Sequence, residues 1–200
     1  MSLRVAIQMD PIETISPDLD STFLLASEAN KRGHTIYHYL PSMLTLRDGY
    51  VSAKAQRLSV NPRLSLANNF EVLDFSTVDV VLMRQDPPFN MSYITATHIL
   101  QHIQPHVLII NDPGSVRNSP EKLFAMGIKD LMPPTIITSD FDEMIRFRNE
   151  FRDIIVKPLY GNGGDRIFHI TESDENFNSL INFFHSINNE PIIIQKYLAE

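Results

Sequence analysis

The chain is 200 residues long, 43% apolar and 20% charged, with a formal net charge of −7 at pH 7. That length can bury a sizeable core and the composition excludes a disordered or fibrous chain, while the acidic balance argues against nucleic acid as a partner, because phosphate-backbone binding needs a cationic face. There is no cysteine, hence no disulfide, thiolate metal site or cysteine nucleophile, and with no bilayer-length apolar run or signal-like opening the expectation is a cytoplasmic protein without a membrane partner.

Residues 4–9 read as a buried strand closed by Asp10-Pro11, since proline cannot continue a ladder. Phe23, Leu24, Ala26 and Ala29 recur at helical spacing over residues 21–32, with Asp20 or Ser21 placed to cap and Gly33 to stop the helix. Residues 35–40 resume as a strand, and this strand, helix, strand order predicts a parallel α/β unit. Residues 44–60 alternate around Asp48-Gly49, which signals an inserted β-hairpin. Residues 79–84 form another strand, ended by Arg84-Gln85-Asp86-Pro87-Pro88; a helix follows over 92–104 and a strand over 107–111. Met9, Arg84 and Ile110 thus end strands that run into polar, proline-containing loops, the end of an open α/β sheet where ligands gather.

A domain boundary is expected within residues 113–119. Beyond it, Ser119-Pro120 reads as an N-cap and first helical residue, for a helix to about residue 127. Pro133-Pro134 marks a linker, 135–138 a strand, and Ser139 to Asp142 a capping box opening a helix to about residue 151. Strands at 153–157 and 166–170 flank a glycine-rich loop, a helix covers 174–187, and 191–198 is a last apolar strand.

The loop sits in "KPLYGNGGDRIF", where three of the seven glycines fall in four positions after a lysine that ends an apolar run. Two readings stand: a tight hairpin whose glycines supply positive φ, or a mobile loop that covers phosphates. It is neither a Walker A loop, because the lysine precedes the glycines, nor a dinucleotide fingerprint, because a strand follows. Lys157 shares a strand face with Ile155, so its ammonium ends an apolar strip where an unpaired charge is costly and a bound anion would offset it. Lys122 adds a second cation in the first turn of a helix, whose N–H groups favour anions. The closing "PIIIQKYL" could offer backbone groups to a flat heterocycle beside Tyr197 and Leu198, or could simply be a core strand.

Together, Lys122, Lys157, the loop of Gly161, Asn162, Gly163 and Gly164 between antiparallel strands, and Gln195, Lys196, Tyr197 and Leu198 resemble the first half of an ATP-grasp nucleotide site. More specifically, "MDPI" at Met9, "MRQDPPF" at Met83, "NDPGSVRNSPEKLF" at Asn111 and "VKPLYGNGG" at Val156 resemble the bacterial glutathione synthetases, in the same order and over essentially the whole chain. The resemblance implies an α/β fold, with a preATP-grasp domain built on a Rossmann-like parallel sheet over residues 1–118. The first, lid-like α+β part of an ATP-grasp fold would follow over residues 119–200. It also implies an ATP- and magnesium-dependent ligase that joins γ-glutamylcysteine to glycine through an acyl phosphate, making glutathione.

Carried over by that resemblance, Lys122 and Lys157 would hold the nucleotide phosphates, Gly161, Asn162, Gly163 and Gly164 would form the closing loop, and Gln195, Lys196, Tyr197 and Leu198 would line the adenine. Asp10, Arg84 and Asp86 would face the peptide substrate; no residue is assigned a catalytic role. The chain departs from the pattern at Gln85, where relatives often carry Lys, at Asp112, where they carry a basic residue, and at Asn162, where the residue is commonly apolar. In this family the second half of the ATP-grasp fold follows, with the ribose carboxylate and the magnesium ligands. The chain alone is therefore expected to hold no metal site, to lack ligase activity and to end on an unpaired strand exposing a sheet edge. Beside this reading stand another ATP-grasp carboxylate–amine ligase and a non-catalytic nucleotide- or partner-binding module; a homo-oligomer is left open.

Other features read as structural. His98, His102 and His106 recur every four residues, but Pro105 interrupts the helix and no carboxylate joins them, so a metal site is not expected there. Ser21 and Ser115 lack a histidine partner, Asp140 and Asp142 suit a helix start, and Phe177, Leu180, Ile181 and Phe184 form an apolar helical stripe for a core.

Overall fold

Strand β1 (Arg4–Gln8) buries Ala6 and Ile7 completely on opposite faces, as a strand covered on both sides must. The structure is a computed structural model that describes residues 1–17, 19–161, 163–187 and 190–199, apart from the side chains of Lys129 and Ile187. The chain divides into two compact units, Met1–Ser119 and Pro120–Glu200.

In the first unit, helix α1 (Ser21–Lys31) is capped by Asp20, whose carboxylate accepts from the Thr22 N–H; after Arg32, Gly33 turns the chain at φ +74°. Strand β2 (Thr35–Tyr39) then lies parallel to β1. The hairpin forms with Asp48 at φ 50° and Gly49 at φ 85°, two left-handed residues whose turn matches the strand twist. Its strands, β3 (Leu44–Arg47) and β4 (Tyr50–Val60), are not a separate insertion: β4 pairs antiparallel with β2 and so widens the main sheet. Strands β5 (Leu64–Leu66) and β6 (Glu71–Asp74), which the sequence pattern does not announce, both pair with β4. Strand β7 (Val80–Met83) runs parallel on the other side of β1. Helix α2 (Met91–Gln101), capped by Asn90, leads to β8 (Leu108–Ile110), parallel to β7.

The sheet order β3-β4-β2-β1-β7-β8 sets its four parallel strands, β2, β1, β7 and β8, side by side, as the strand, helix, strand pattern predicts. Tyr37, Tyr39, Ala53, Phe75, Val81 and Leu100 are among the residues of one core, and Val5, Ile7, Met9, Ala26 and Ile36 are among those of another. The segment expected to hold the domain boundary is helical: α3 (Pro113–Asn118) has Pro at its first position and Asp112 as cap, accepting from Ser115 N at 2.7 Å.

The second unit opens with α4 (Glu121–Ala125), whose cap position is Pro120 without a side-chain hydrogen bond, so Ser119 is not the N-cap that the sequence suggested. Strand β9 (Thr135–Thr138) precedes α5 (Phe141–Phe151), capped by Asp140 through the N–H groups of Asp142 and Glu143; the capping box led by Ser139 does not form, because Asp140 takes both donors. Strands β10 (Ile154–Pro158) and β11 (Phe168–Ile170), helix α6 (Phe177–Ile187) and β12 (Ile192–Lys196) complete it. The sheet order is β11-β10-β12-β9, antiparallel throughout.

The last strand is therefore central, paired with β10 on one side and β9 on the other, and the expected unpaired edge is not there. The reason lies in its residues: Ile192, Ile193 and Ile194 are 3%, 1% and 0% exposed, a run that needs cover on both faces. Met144 and Phe147 of α5 and Phe177, Ile181 and Phe184 of α6 pack with Ile154, Val156 and Ile194 on one face, as the α6 stripe predicts. Ile194→Ala should lower unfolding stability by about 2–5 kcal/mol in urea titrations, whereas Val72→Ala on the exposed β6 should stay within about 0.5 kcal/mol of the parent.

Candidate functional site

In the second unit, β10 sends Ile154 and Val156 into the core, and alternation puts Ile155 and Lys157 on the opposite face. Lys157 is half-buried there. Its pKa is held below the ordinary lysine value, first by burial, then by the nearby Lys122 ammonium, with Glu121 acting in the other direction. Lys122 donates from Nζ to the Gly161 carbonyl. A cavity of about 210 Å³ lies between them, lined by Glu121, Lys122, Lys157, Gly161, Gly163 and Gly164 among others. Two cations on a desolvated rim favour an anion between them, which would restore the charge that burial opposes.

The loop glycines differ in what they contribute. Gly163 and Gly164 adopt φ of +63° and +78°, a conformation side chains resist. A Cβ on Gly161 would sit 2.5 Å from Pro158 Cγ, so the backbone approaches that proline as only glycine permits. Asn162 lies outside the described residues. The helix-end contribution expected for Lys122 does not hold, because α4 is only five residues long and sums too few peptide dipoles.

The closing segment splits across the sheet. Gln195 shares the Lys157 face and donates from Nε2 to Thr135 Oγ1 at 2.9 Å. Lys196 points the other way, its Nζ 5.9 Å from the Phe151 ring centroid, so its side chain is not brought to Lys157. The N–H groups of Lys196 and Tyr197 already donate to Pro134 and Asp153 carbonyls, both at 2.9 Å, which removes two of the backbone donors expected for a heterocycle. Leu198 is exposed beyond the strand. Tyr197 stacks on His169, ring centroids 4.0 Å apart and planes 22° from parallel; His169 carries no sequence signal beyond its place in an alternating strand.

In the first unit, Asp10 follows β1 and Arg84 and Asp86 follow β7, its parallel neighbour. β1 connects onward to β2 on its other side, so these residues stand outside the carboxyl ends at the point where strand order reverses. Asp10 Oδ2 accepts from the Asp86 N–H at 2.7 Å, and the buried His38 ring lies 3.3 Å from the Asp10 carbonyl. Arg84 donates to Ser21 Oγ at 2.8 Å and Thr22 Oγ1 at 3.2 Å. Ser21 is thus a guanidinium partner rather than a cap. The Asp86 pKa is raised, first by burial and then by the Asp10 and Asp20 carboxylates, with Arg84 opposing. This mixed cluster suits a ligand that carries both an ammonium and a carboxylate.

The remaining features have structural explanations. Gln85 is buried beneath this loop, where Gln8 Nε2 donates to its Oε1; two neutral amides sit there without the desolvation cost of a lysine. Asp112 caps α3 and accepts from Gln104, and those hydrogen bonds hold its carboxyl below the usual range. His98, His102 and His106 are exposed, and among the described residues no group of three or more His, Asp or Glu gathers to hold a metal. Nor, among them, is any helix long and apolar enough to cross a membrane.

Comparison with known proteins gives the same two-part division. A family profile described as "Prokaryotic glutathione synthetase, N-terminal domain" matches residues 3–117, and one described as "Prokaryotic glutathione synthetase, ATP-grasp domain" matches residues 121–200. A protein named glutathione synthetase from Mesorhizobium japonicum is 51% identical over 100% of this chain and 65% of its own length. One of the same name from Brucella melitensis is 48% identical over 100% and 65%. The chain thus spans 65% of the length of these curated relatives. Among solved structures, an ATP-grasp RimK domain protein from Sphaerobacter thermophilus aligns with a TM-score of 0.62 at 13% identity, covering 98% of this chain and 64% of that one, a likeness of fold.

Lys157→Met keeps the apolar stem and removes the charge. Because the folded-state pKa lies below the ordinary lysine value of 10.5, the charged form is disfavoured by folding at neutral pH, and this penalty disappears as pH rises from the lowered pKa through 10.5. The variant should therefore melt at or above the parent temperature at pH 7, with any difference shrinking toward pH 11, measured by calorimetry. Gly161→Ala should instead destabilise by about 1–3 kcal/mol through overpacking on Pro158, read from urea unfolding.

Proposed function

Because the chain belongs to the prokaryotic glutathione synthetase family, we propose that it serves an ATP-dependent ligase reaction joining γ-glutamylcysteine to glycine. In that chemistry the peptide carboxylate takes the γ-phosphoryl group of ATP and ADP leaves. The glycine amine then attacks the acyl carbon and phosphate departs, carrying away the bond to oxygen. A carboxylate is a poor acyl donor, and phosphorylation makes it a good one; catalysis of the first step is mainly positioning and charge stabilisation.

The single observation that carries this reading is the half-buried Lys157 beside Lys122 at the rim of a glycine-lined cavity. Those two cations hold the nucleotide phosphates, and Gly161, Gly163 and Gly164 belong to the loop that covers them and keeps water from the acyl phosphate. Gln195, Tyr197 and Leu198 line the adenine, with Lys196 contributing through its backbone carbonyl. Arg84 takes a peptide carboxylate and Asp86, with Asp10, takes the ammonium. The family's use of magnesium with ATP supplies further charge neutralisation; the described residues offer no cage for it, and no step here is assigned to it.

Calorimetric titration with ADP tests the phosphate corner. Lys122→Ala and Lys157→Ala should each weaken binding roughly 10- to 100-fold, the range for losing one charge-assisted hydrogen bond. Unchanged ADP affinity in both variants would overturn the reading. Asp86→Asn should weaken γ-glutamylcysteine binding in the same assay while leaving ADP binding as in the parent.

A further inference from the structure

We infer that the stacked His169–Tyr197 pair forms the base-contacting wall of the nucleotide site, and that His169 sets its preference for a purine. The inference rests on the nucleotide reading above and adds to it a residue from a different strand. In the β10–β11 register His169 is opposite Ile155, and in the β10–β12 register Ile155 is opposite Gln195. Tyr197 continues that alternation, because its N–H donates to the Asp153 carbonyl at 2.9 Å. His169, Ile155, Gln195, Tyr197 and Lys157 therefore share one sheet face, the one turned away from α5 and α6. The two rings come from strands on either side of β10 and meet at a 4.0 Å centroid separation.

Ile155 and Lys157 are two residues apart on β10, roughly 7 Å along the strand. The ring pair thus lies displaced from the phosphate corner by about the extent of a ribose, on the side away from the glycine loop. Between them the half-buried Ile155 gives an apolar floor, with the half-buried Gln195 amide at its margin. His169 is exposed and Tyr197 is 37% exposed, so a planar face and polar ring edges remain for a ligand. A flat heterocycle gains most from such a wall, and a two-ring purine covers more of it than a pyrimidine does.

The test compares ADP, CDP and inorganic tripolyphosphate by calorimetry on the full chain, with His169→Ala, His169→Asn and His169→Phe. The parent should bind ADP more tightly than CDP. The Ala and Asn variants should each lose about tenfold in ADP affinity, the order expected for removing one base-stacking ring, and bind tripolyphosphate within twofold of the parent. The Phe variant, which restores a planar ring, should recover ADP binding. Parent-like ADP affinity in the Asn variant, or equal parent affinity for ADP and CDP, would overturn the inference while the phosphate reading stands. A parent that binds neither ADP nor tripolyphosphate would overturn both.

Discussion

Two ammonium groups share one corner of a sheet face that is otherwise largely isoleucine, and the local fold leaves neither free to leave it. Lys157 is fixed because β10 is paired on both sides and anchored by Ile154 and Val156 in the core beneath. Lys122 is tied to the loop through the Gly161 carbonyl. Among the effects acting on Lys157, Glu121 alone favours the charged form, and burial outweighs it. Under the proposed nucleotide reading, a polyanion entering that corner would relieve the balance at little cost in rearrangement.

The first unit shows the opposite polarity at an equivalent kind of place. Burial, and after it the Asp10 and Asp20 carboxylates, raise the pKa of Asp86, with Arg84 as counterweight. Arg84 is held by two hydroxyls, and among the described residues no carboxylate forms an ion pair with it. His38 and the Asp86 N–H grip Asp10 from two directions.

Much of this was legible in the sequence because the governing forces are local. Proline closed β1 and β7, the Asp48-Gly49 pair dictated its turn, and the α6 stripe could only be a core face. Four motifs in order pointed to the family that the profiles match. The misreadings come from long-range pairing. Strands β5 and β6, of three and four residues, are too short for periodicity to register and exist because β4 offers a partner. Central placement of β12 depends on β9, over fifty residues earlier in the chain. The capping errors at Ser119 and Ser139 arose because adjacent residues competed for the same donors. Side-chain direction decided the rest: Lys196 reads like a nucleotide ligand in the string "QKY" but alternation turns it toward Phe151, while His169 is hidden until register brings it against Tyr197.

Placing the isoleucine run of β12 at the centre has a further consequence for how the second unit behaves in a crowded solution. The strands left on its flanks are β11, of three residues, and β9, of four. Short borders of that kind offer few consecutive backbone groups for a foreign strand to dock upon, while the segment with the highest tendency to assemble into cross-β stacks is sequestered between two partners. The strand order that shelters this run is also the one that sets Lys157 on the face turned away from α5 and α6.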